Sequence, residues 1–370
     1  MFKKNTLALA IAAITLAPVS AIADEVYGFI NIGLESTSID GAGAANEIFA
    51  SGPDGSLHAQ DVAESRIGYK GSKDLGSGMN AAFKIELGLG TTPGAGGPTE
   101  DTTPTTRLAQ IALSGDFGTI TAGNQWGILY EYLGWNVFRA HGHGAGTWYY
   151  TTKNINDDAF GLRVSNAFTY TYGGGGYSAD GLTFSVQAIA DDDTAAVAGS
   201  PAVTVPDGNG GTVTITEAVS PKMANDEAID ALVIAAAFTS GELTLNAVFY
   251  NESDSSGSAE PSLTGLGARY NLSAATYIGG NYMMVDNDAG GDISSINVLL
   301  THDLGEGISG MVSFGNGDGD NAIADLDSNL FLQLQKDYGQ GVITYIEYET
   351  AKLEGGAKTS VIAAALKYSF

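Results

Sequence analysis

Two kinds of connection alternate along this chain between short runs of alternating apolar and polar residues. One kind is tight and glycine-rich, and it occurs seven times: 74–78, 116–118, 179–181, 240–241, 272–274, 304–307 and 338–341. The other kind is long, acidic and variable in length: 37–62, 90–104, 127–160, 191–226, 252–262 and 316–327. Tight glycine-rich connections supply the positive φ angles that hairpin turns require. Seven tight turns separate eight hairpins, so the sequence predicts about sixteen antiparallel strands.

The strands themselves alternate in character, as in Leu182–Ala188 and Val342–Tyr348. Short turns at one end, long loops at the other and alternating strands are typical of a transmembrane β-barrel. A barrel of about this strand number encloses a water-filled lumen, and closure removes the sheet edges that lipid cannot satisfy. The alternative is a soluble all-β sandwich or propeller, but in these folds the long acidic loops would not all lie on one side.

The last strand shows the pattern most clearly. Taken in steps of two, one side carries Phe370, Tyr368, Leu366, Ala364 and Ile362. Because strand side chains alternate between two faces, this is an apolar face that ends in aromatic residues. Such a face requires either a protein core or a membrane. If the partner is lipid, barrel closure requires this strand to pair with the first one, near 26–34.

The first residues have the architecture of a secretory signal peptide. Lys3 and Lys4 precede an apolar run over 7–16, and Ala21-Ile22-Ala23 forms a small-x-small cleavage site. We expect residues 1–23 to be removed and residues 24–370 to form one barrel domain. No later segment approaches the ~20 apolar residues of a spanning helix, so an exported chain either stays soluble or spans a membrane as strands.

Composition excludes several classes of protein. Removing Lys3 and Lys4 from the 16 basic residues leaves 14 against 42 acidic ones, a formal charge of −28. Such a charge repels phosphates, so nucleic acid is not an expected partner. The chain has no cysteine and hence no disulfide, while its 17 Tyr and 14 Phe argue against a disordered acidic chain.

Specific stretches also resemble a known family. Residues 64–79, ESRIGYKGSKDLGSGM, resemble the second strand and first periplasmic turn of the general porins of Gram-negative outer membranes, and residues 107–125 resemble their fourth and fifth strands. Phe370, with Tyr368 two before it, is similar to the family's assembly signal. The resemblance implies a sixteen-stranded outer-membrane barrel, usually a homotrimer, with short periplasmic turns and long extracellular loops.

The resemblance also implies a function. Ions and small hydrophilic solutes would diffuse passively through the lumen, and the loop after the fifth strand would fold inside and narrow it. Outer-membrane lipid and the machinery that reads Phe370 during barrel assembly are the implied partners, and no cofactor is expected.

Arginine is rare, and four of the five residues fall in strand-like runs: Arg66, Arg107, Arg163 and Arg269. Arg66 alternates with Ser65, Ile67 and Tyr69, and Arg163 lies opposite Leu162, Val164, Phe168 and Tyr170, which aims both at water. An arginine facing mid-bilayer lipid would cost ~2–4 kcal/mol. Arg107 fits less well, because it shares a side with Ile111 and Leu113 while Gln110 lies opposite. Packing of the family's early strands against neighbouring subunits would account for Gln110.

In the family, positions matching Arg66, Arg107 and Arg163 form a basic wall that faces acids on the constriction loop. Here that loop, about 127–160, carries Glu131 early, then Arg139, His141 and His143, and it lacks acids in its middle. We therefore expect a neutral or basic constriction that is less cation-selective than the net charge suggests. The alternative is that Arg139, His141 and His143 lie in a solvated loop without a role in the pore.

Two other functions remain open. A solute-specific channel would have a saturable site, for which Trp126, Trp135, Trp148, Tyr149 and Tyr150 offer stacking surfaces. We favour the other interpretation of these residues, anchoring at the aromatic girdle or packing of the loop base. An outer-membrane enzyme would need a nucleophile or acid–base constellation. The four histidines, His58, His141, His143 and His302, have no nucleophile motif beside them.

Overall fold

The computed structural model describes residues 25–40, 43–49, 64–89, 104–137, 140–141, 151, 162–173, 180–190, 203–206, 212–216, 229–252, 261–286, 292–319, 326–353 and 358–370. The predicted signal peptide lies outside these ranges. The strands are β1 (Glu25–Ile39), β2 (Gly43–Phe49), β3 (Arg66–Gly76), β4 (Met79–Gly88), β5 (Thr105–Gly115), β6 (Gly118–Trp126), β7 (Arg163–Tyr172), β8 (Gly181–Ile189), β9 (Val203–Pro206), β10 (Thr212–Thr216), β11 (Ala231–Ser240), β12 (Leu243–Glu252), β13 (Ser262–Ser273), β14 (Thr276–Asp286), β15 (Ile293–Gly305), β16 (Ile308–Gly319), β17 (Leu326–Asp337), β18 (Val342–Leu353) and β19 (Lys358–Ser369).

Seventeen of these strands form one antiparallel sheet that closes on itself. Strands β2 and β3 both pair with β1, β2 beside its later half and β3 beside its first residues, so they share one position. In the described part of the chain the barrel therefore has sixteen strand positions, as predicted. Strands β9 and β10 form a separate hairpin within the long connection between β8 and β11.

The barrel closes between its first and last strands. Phe29–Ile39 of β1 runs antiparallel to Thr359–Ser369 of β19. Beyond that ladder, the backbone N–H groups of Gly28 and Phe370 each donate to the other residue's carbonyl oxygen at 3.0 Å. The predicted pairing is confirmed, and the final residue is part of the closed sheet.

The two faces of the sheet differ as the alternation predicts. In β1, Ile32 and Leu34 are exposed on the outer face, whereas Asn31 and Glu35 are buried on the inner face. From residue 361 to residue 370 the exposed residues are Ile362, Ala364, Leu366, Tyr368 and Phe370, the apolar side identified from the sequence. The outer face is thus an apolar band, and many inner positions are polar.

Three of the tight turns share the pattern Asp-x-Gly-x-Gly: 74–78, 303–307 and 337–341. In each, the aspartate accepts a hydrogen bond from the backbone N–H two residues later, at 2.7 to 2.8 Å. The last three residues of each turn all have positive φ, including the non-glycine residues Ser77, Glu306 and Gln340. Glycine on both sides of that residue makes this left-handed path accessible.

Helices are few among the described residues. One α-helix, α1 (Ile128–Tyr132), and a 3-10 turn (Gly134–Asn136) follow β6. In the part of the chain that the structure describes, no helix is both long and apolar enough to cross a bilayer.

Candidate functional site

The connection after β6, the fifth strand position, folds into the barrel. We call its described residues, 127–137 and 140–141, the inner loop. Helix α1 has only five residues and no side-chain cap at Gly127, so its own sequence does not stabilise it. Four of its five residues are buried, and packing against the barrel therefore holds it.

Helix α1 packs against an apolar part of the barrel interior, which we call the apolar wall. It consists of the inner faces of β8 and β11–β14, with inward residues that include Val233, Ala235, Val248, Leu263 and Met283. Leu133 follows directly after α1 and lies against Gly265. A Cβ atom added to Gly265 would lie only 2.1 Å from the Cδ1 atom of Leu133. Leu133 can therefore pack here only because Gly265 has no side chain.

Polar contacts fix the same part of the loop. The backbone N–H of Ile128 donates to Oε1 of Gln187 at 3.2 Å, and the Tyr132 hydroxyl lies 2.9 Å from Oγ of Ser185. Two more bonds hold the 3-10 turn and the residue before it: Tyr277 donates to the carbonyl of Asn136 at 2.9 Å, and Asn281 to that of Leu133 at 3.1 Å.

The loop then reaches other strands of the barrel. The backbone N–H of His141 lies 3.1 Å from Oε1 of both Gln333 and Glu347. Its Nε2 atom is 2.6 Å from Oε1 of Gln335, and Asn31 donates to its carbonyl at 3.5 Å. The loop therefore extends along the interior from β6 to β1, β17 and β18, so the predicted inward fold of this loop is confirmed. Arg139 and His143 lie outside the described residues.

Glu131 and His141 of the inner loop have shifted pKa values. Burial raises the pKa of Glu131 to about 7, against a smaller opposing effect of Lys84. Glu131 is half-buried, whereas the other four residues of α1 are fully buried. Burial, aided by the charge of Lys367, lowers the pKa of His141 to about 4, so this imidazole is neutral at pH 7.

The predicted arginines Arg66 and Arg107 meet in one cluster with two carboxylates. Arg107 donates from Nε to Glu86 at 2.8 Å and from Nη1 to Glu64 at 2.6 Å. Arg66 lies 3.3 Å from the same Glu86 oxygen, and Tyr27 donates to the other one at 2.9 Å. Both guanidinium groups are buried, at 9% side-chain exposure or less, and each faces acids of the barrel wall itself.

A β-bulge explains why Arg107 does not fit the alternation. Glu86 pairs with Leu108 and Leu87 with Thr106, so Arg107 is the extra residue. The bulge places both Arg107 and Leu108 in buried positions, and beyond it Gln110 pairs with Lys84 on the inner face. The expectation that Gln110 faces outward was wrong, and packing against a neighbouring subunit is not needed to account for it.

The alternation around Arg163 was also wrong in part. Val164, 3% exposed, belongs to the buried inner cluster, whereas Phe168 is 51% exposed on the outer face. Between them lies Asn166, with φ of 48°, opposite a register shift in β6. The Arg163 guanidinium lies over the indole of Trp126, 5.8 Å from the ring, and its charge acts on Arg66 together with that of Arg107.

Two lysines on the same side were not singled out from the sequence. Lys84 lies 5.3 Å from the ring of Tyr27, and Lys367 lies 3.9 Å from the ring of Phe29, which Arg66 also approaches at 4.5 Å. We call the inner faces of β1, β3–β5 and β19 the charged wall. The alternation of side chains along the strand could have identified Lys367 as an inward-facing residue, because its neighbour Tyr368 belongs to the exposed apolar side.

The aromatic residues near the loop base pack together. Trp126 stacks on Tyr130 with ring centroids 5.0 Å apart, and Trp135 meets Tyr130 edge-on at 5.9 Å. Trp148, Tyr149 and Tyr150 lie outside the described residues.

Comparison with known proteins agrees with this architecture. The profile of the Gram-negative porin family matches residues 8–368. The Major outer membrane protein P.IB of Neisseria lactamica is 33% identical over 135 residues, 34% of this chain and 34% of that protein. The protein of the same name from Neisseria meningitidis serogroup B is 33% identical over 153 residues, 36% and 40% of the two chains. The chain thus matches between a third and two fifths of the length of these curated relatives.

Solved structures are similar over nearly the whole chain. The anion-selective porin from Comamonas acidovorans covers 95% of this chain and is itself covered completely, with a TM-score of 0.68 and 16% identity. The OmpF of Salmonella typhi, solved with daunomycin, covers 94% of this chain over 97% of its own length, with a TM-score of 0.67 and 14% identity. At these identities the likeness shows the fold.

Proposed function

This chain belongs to the Gram-negative porin family, and from that premise we propose that it forms a water-filled channel through which ions and small hydrophilic solutes diffuse passively. The observation that carries the proposal is the closed barrel of sixteen strand positions with polar inner residues and a loop fixed inside it. A barrel of this size has room for an aqueous lumen, which the inner loop narrows.

The channel lies in the outer membrane, with its apolar band against lipid, and it assembles as a homotrimer. The family relationship supports both statements. Members of this family are channels, and we propose no enzymatic activity for this one. A solute-specific channel with a saturable site is the alternative, but the packed arrangement of Trp126, Tyr130 and Trp135 does not favour it.

The constriction lies between the inner loop and the charged wall. Arg66 and Arg107 belong to the charged wall and Arg163 to β7, and the sequence places Glu131, Arg139, His141 and His143 in the connection after β6. Two carboxylates neutralise the arginine cluster and His141 is uncharged at pH 7. The constriction is therefore less cation-selective than the formal charge of −28 on residues 24–370 suggests.

Planar-bilayer recording tests the channel and its oligomer together. The purified protein should insert with stepwise conductance in groups of three, and a salt gradient should give a weak reversal potential. Currents that saturate with one solute would favour the specific channel. Insertion without conductance would contradict the proposal, and hydrolytic activity without conductance would point to an enzyme.

We further propose that Phe370 and Tyr368 carry the signal for the barrel-assembly machinery. Deleting Phe370 should reduce the amount of assembled protein in cells far more than it reduces the conductance of protein refolded in vitro. Tyr338→Ala, which removes another exposed aromatic ring, is the control and should leave assembly intact. Equal losses in cells and in vitro would leave Phe370 with only a packing role at the strand pairing.

A further inference from the structure

Positive charge on the charged wall is held in two different ways. Arg66 and Arg107 donate to Glu86 and Glu64, and their side chains are almost completely buried. A solute in the lumen can therefore reach few of their N–H groups. Their charge is also compensated within 2.6 to 3.3 Å.

Lys84 and Lys367 differ in both respects. Within the described residues, neither forms a salt bridge, and each ammonium lies over an aromatic ring, Tyr27 for Lys84 and Phe29 for Lys367. Both side chains are half-buried on the inner face, less completely covered than those of the two arginines. An aromatic ring positions a cation without cancelling its charge, so the remaining N–H donors are available to a passing anion. Lys70, which also approaches Tyr27, differs again because Glu25 pairs with it at 3.0 Å.

The two lysines belong to one continuous surface. Tyr27 and Phe29 are two residues apart on the inner face of β1, and Lys84 and Lys367 approach them from β4 and β19, on opposite sides of β1. Gly68 maintains the arrangement, because a Cβ atom there would lie 2.3 Å from the ring of Tyr27. The ring therefore lies directly over the backbone of β3.

We propose that Lys84 and Lys367, and not the arginine cluster, determine how well this pore conducts small anions such as chloride and carboxylates. The proposal rests on the channel function inferred above. The charge of Lys84 also acts on the carboxyl group of Glu131 in the inner loop. Because the pKa of Glu131 is about 7, this carboxyl is protonated in about half of the molecules near pH 7. Glu131 is therefore a weak counter-charge for Lys84.

The test is the reversal potential of trimers in a potassium chloride gradient at about 0.1 M, where charges within ~10 Å of the ion path still act. Lys84→Gln combined with Lys367→Gln should lower the chloride-to-potassium permeability ratio by about twofold for each lysine, as expected for a screened charge ~10 Å from the ion path. Lys84→Arg should retain the wild-type ratio, because it keeps the charge. Phe29→Leu should lower the ratio less, because Lys367 keeps its charge but loses the ring that positions it.

Two control variants separate this proposal from general effects of charge. Lys73→Gln with Lys358→Gln removes the same charge from exposed positions away from the aromatic rings. Arg107→Gln with Glu86→Gln removes one charge of each sign from the arginine cluster. Both should leave the ratio nearly unchanged. A shift in the lysine variant no larger than in the first control, or smaller than in the second, would overturn the proposal, whereas a wild-type protein without conductance would instead refute the channel itself.

Discussion

The apolar wall and the charged wall of the same barrel interact with the inner loop in opposite ways. On the apolar wall, Leu133 and the buried face of α1 cover Leu263, Met283 and their neighbours. On the charged wall, the arginines bind carboxylates, and half-buried lysines lie over aromatic rings. The first part of the loop, α1 and Leu133, is therefore fixed where the barrel interior is apolar, whereas its far end at His141 is held by polar side chains of β1, β17 and β18. The lysines of the charged wall are left for solutes.

The difference follows from the physics of each surface. Apolar burial is non-directional and stabilises any well-shaped contact by ~25 cal/mol per Å². Charged groups keep their hydration unless they are paired, so a wall that carries them stays next to water. A loop packed on one side therefore gives a narrowed but still aqueous passage.

Loosening the apolar attachment should have the largest effect. Leu133→Ala removes a fully buried side chain, and such truncations cost about 2–5 kcal/mol. The barrel should stay folded while α1 detaches part of the time. The mean single-channel conductance should therefore rise, and the current should fluctuate more. Limited proteolysis within the loop should become faster.

Trp135→Ala is the matched control, because Trp135 belongs to the same segment but is 44% exposed. It should change neither conductance nor proteolysis substantially. If Leu133→Ala behaves like this control, the polar contacts of His141 and Asn136 hold the loop, and the apolar wall does not.

Unpairing the charged wall should have the next largest effect. Glu86→Gln removes the carboxylate shared by Arg66 and Arg107, and leaves the cluster with an additional net positive charge. The chloride-to-potassium permeability ratio should rise by about twofold, as expected for one screened charge ~10 Å from the ion path. Glu25→Gln, which unpairs the exposed Lys70, should have a smaller effect because surface pairs are weak. Equal shifts would mean that burial of the cluster is unimportant.

Local features of the sequence predicted most of the fold. The Asp-x-Gly-x-Gly turns and the two-residue alternation depend on neighbours along the chain, so the strand number and the closure by β1 and β19 could be read directly. Extra residues within a strand could not be predicted in this way. The bulge at Arg107 and the left-handed Asn166 reset the alternation, and only the pairing with β4 and β6 reveals them.

The two walls were distinguished only by the structure. One signal for the apolar wall was present, because residues 231–238, ALVIAAAF, are apolar on both faces, which indicates a strand covered on its inner side as well. The contact of Lys367 with Phe29 depends on the register between β1 and β19, and no spacing along the chain contains that information.

A pH change should alter the charge that the loop presents to the charged wall. Because the pKa of Glu131 is raised to about 7, acidification from pH 8 to pH 6 protonates this carboxyl and removes a negative charge that faces Lys84. Anion preference should therefore rise as pH falls through 7, by less than about twofold, since only one partly screened charge is lost. Glu131→Gln should weaken this dependence of the reversal potential on pH. A dependence of the same size in Glu131→Gln would assign it to another group.

The smallest effect at neutral pH is expected at the far end of the loop. With a pKa lowered to about 4, His141 is uncharged at pH 7, so His141→Gln should leave the reversal potential unchanged there. The unfolded or detached imidazole has its ordinary pKa of about 6.5, so the detached loop binds the proton more readily as pH falls from 6.5 towards 4. Attachment of the wild-type loop end should weaken over that range, measured as faster proteolysis, while the glutamine variant stays constant. The backbone N–H of residue 141 still reaches Gln333 and Glu347 in both proteins, which limits the difference; identical acid behaviour would show that these backbone bonds alone hold the loop end.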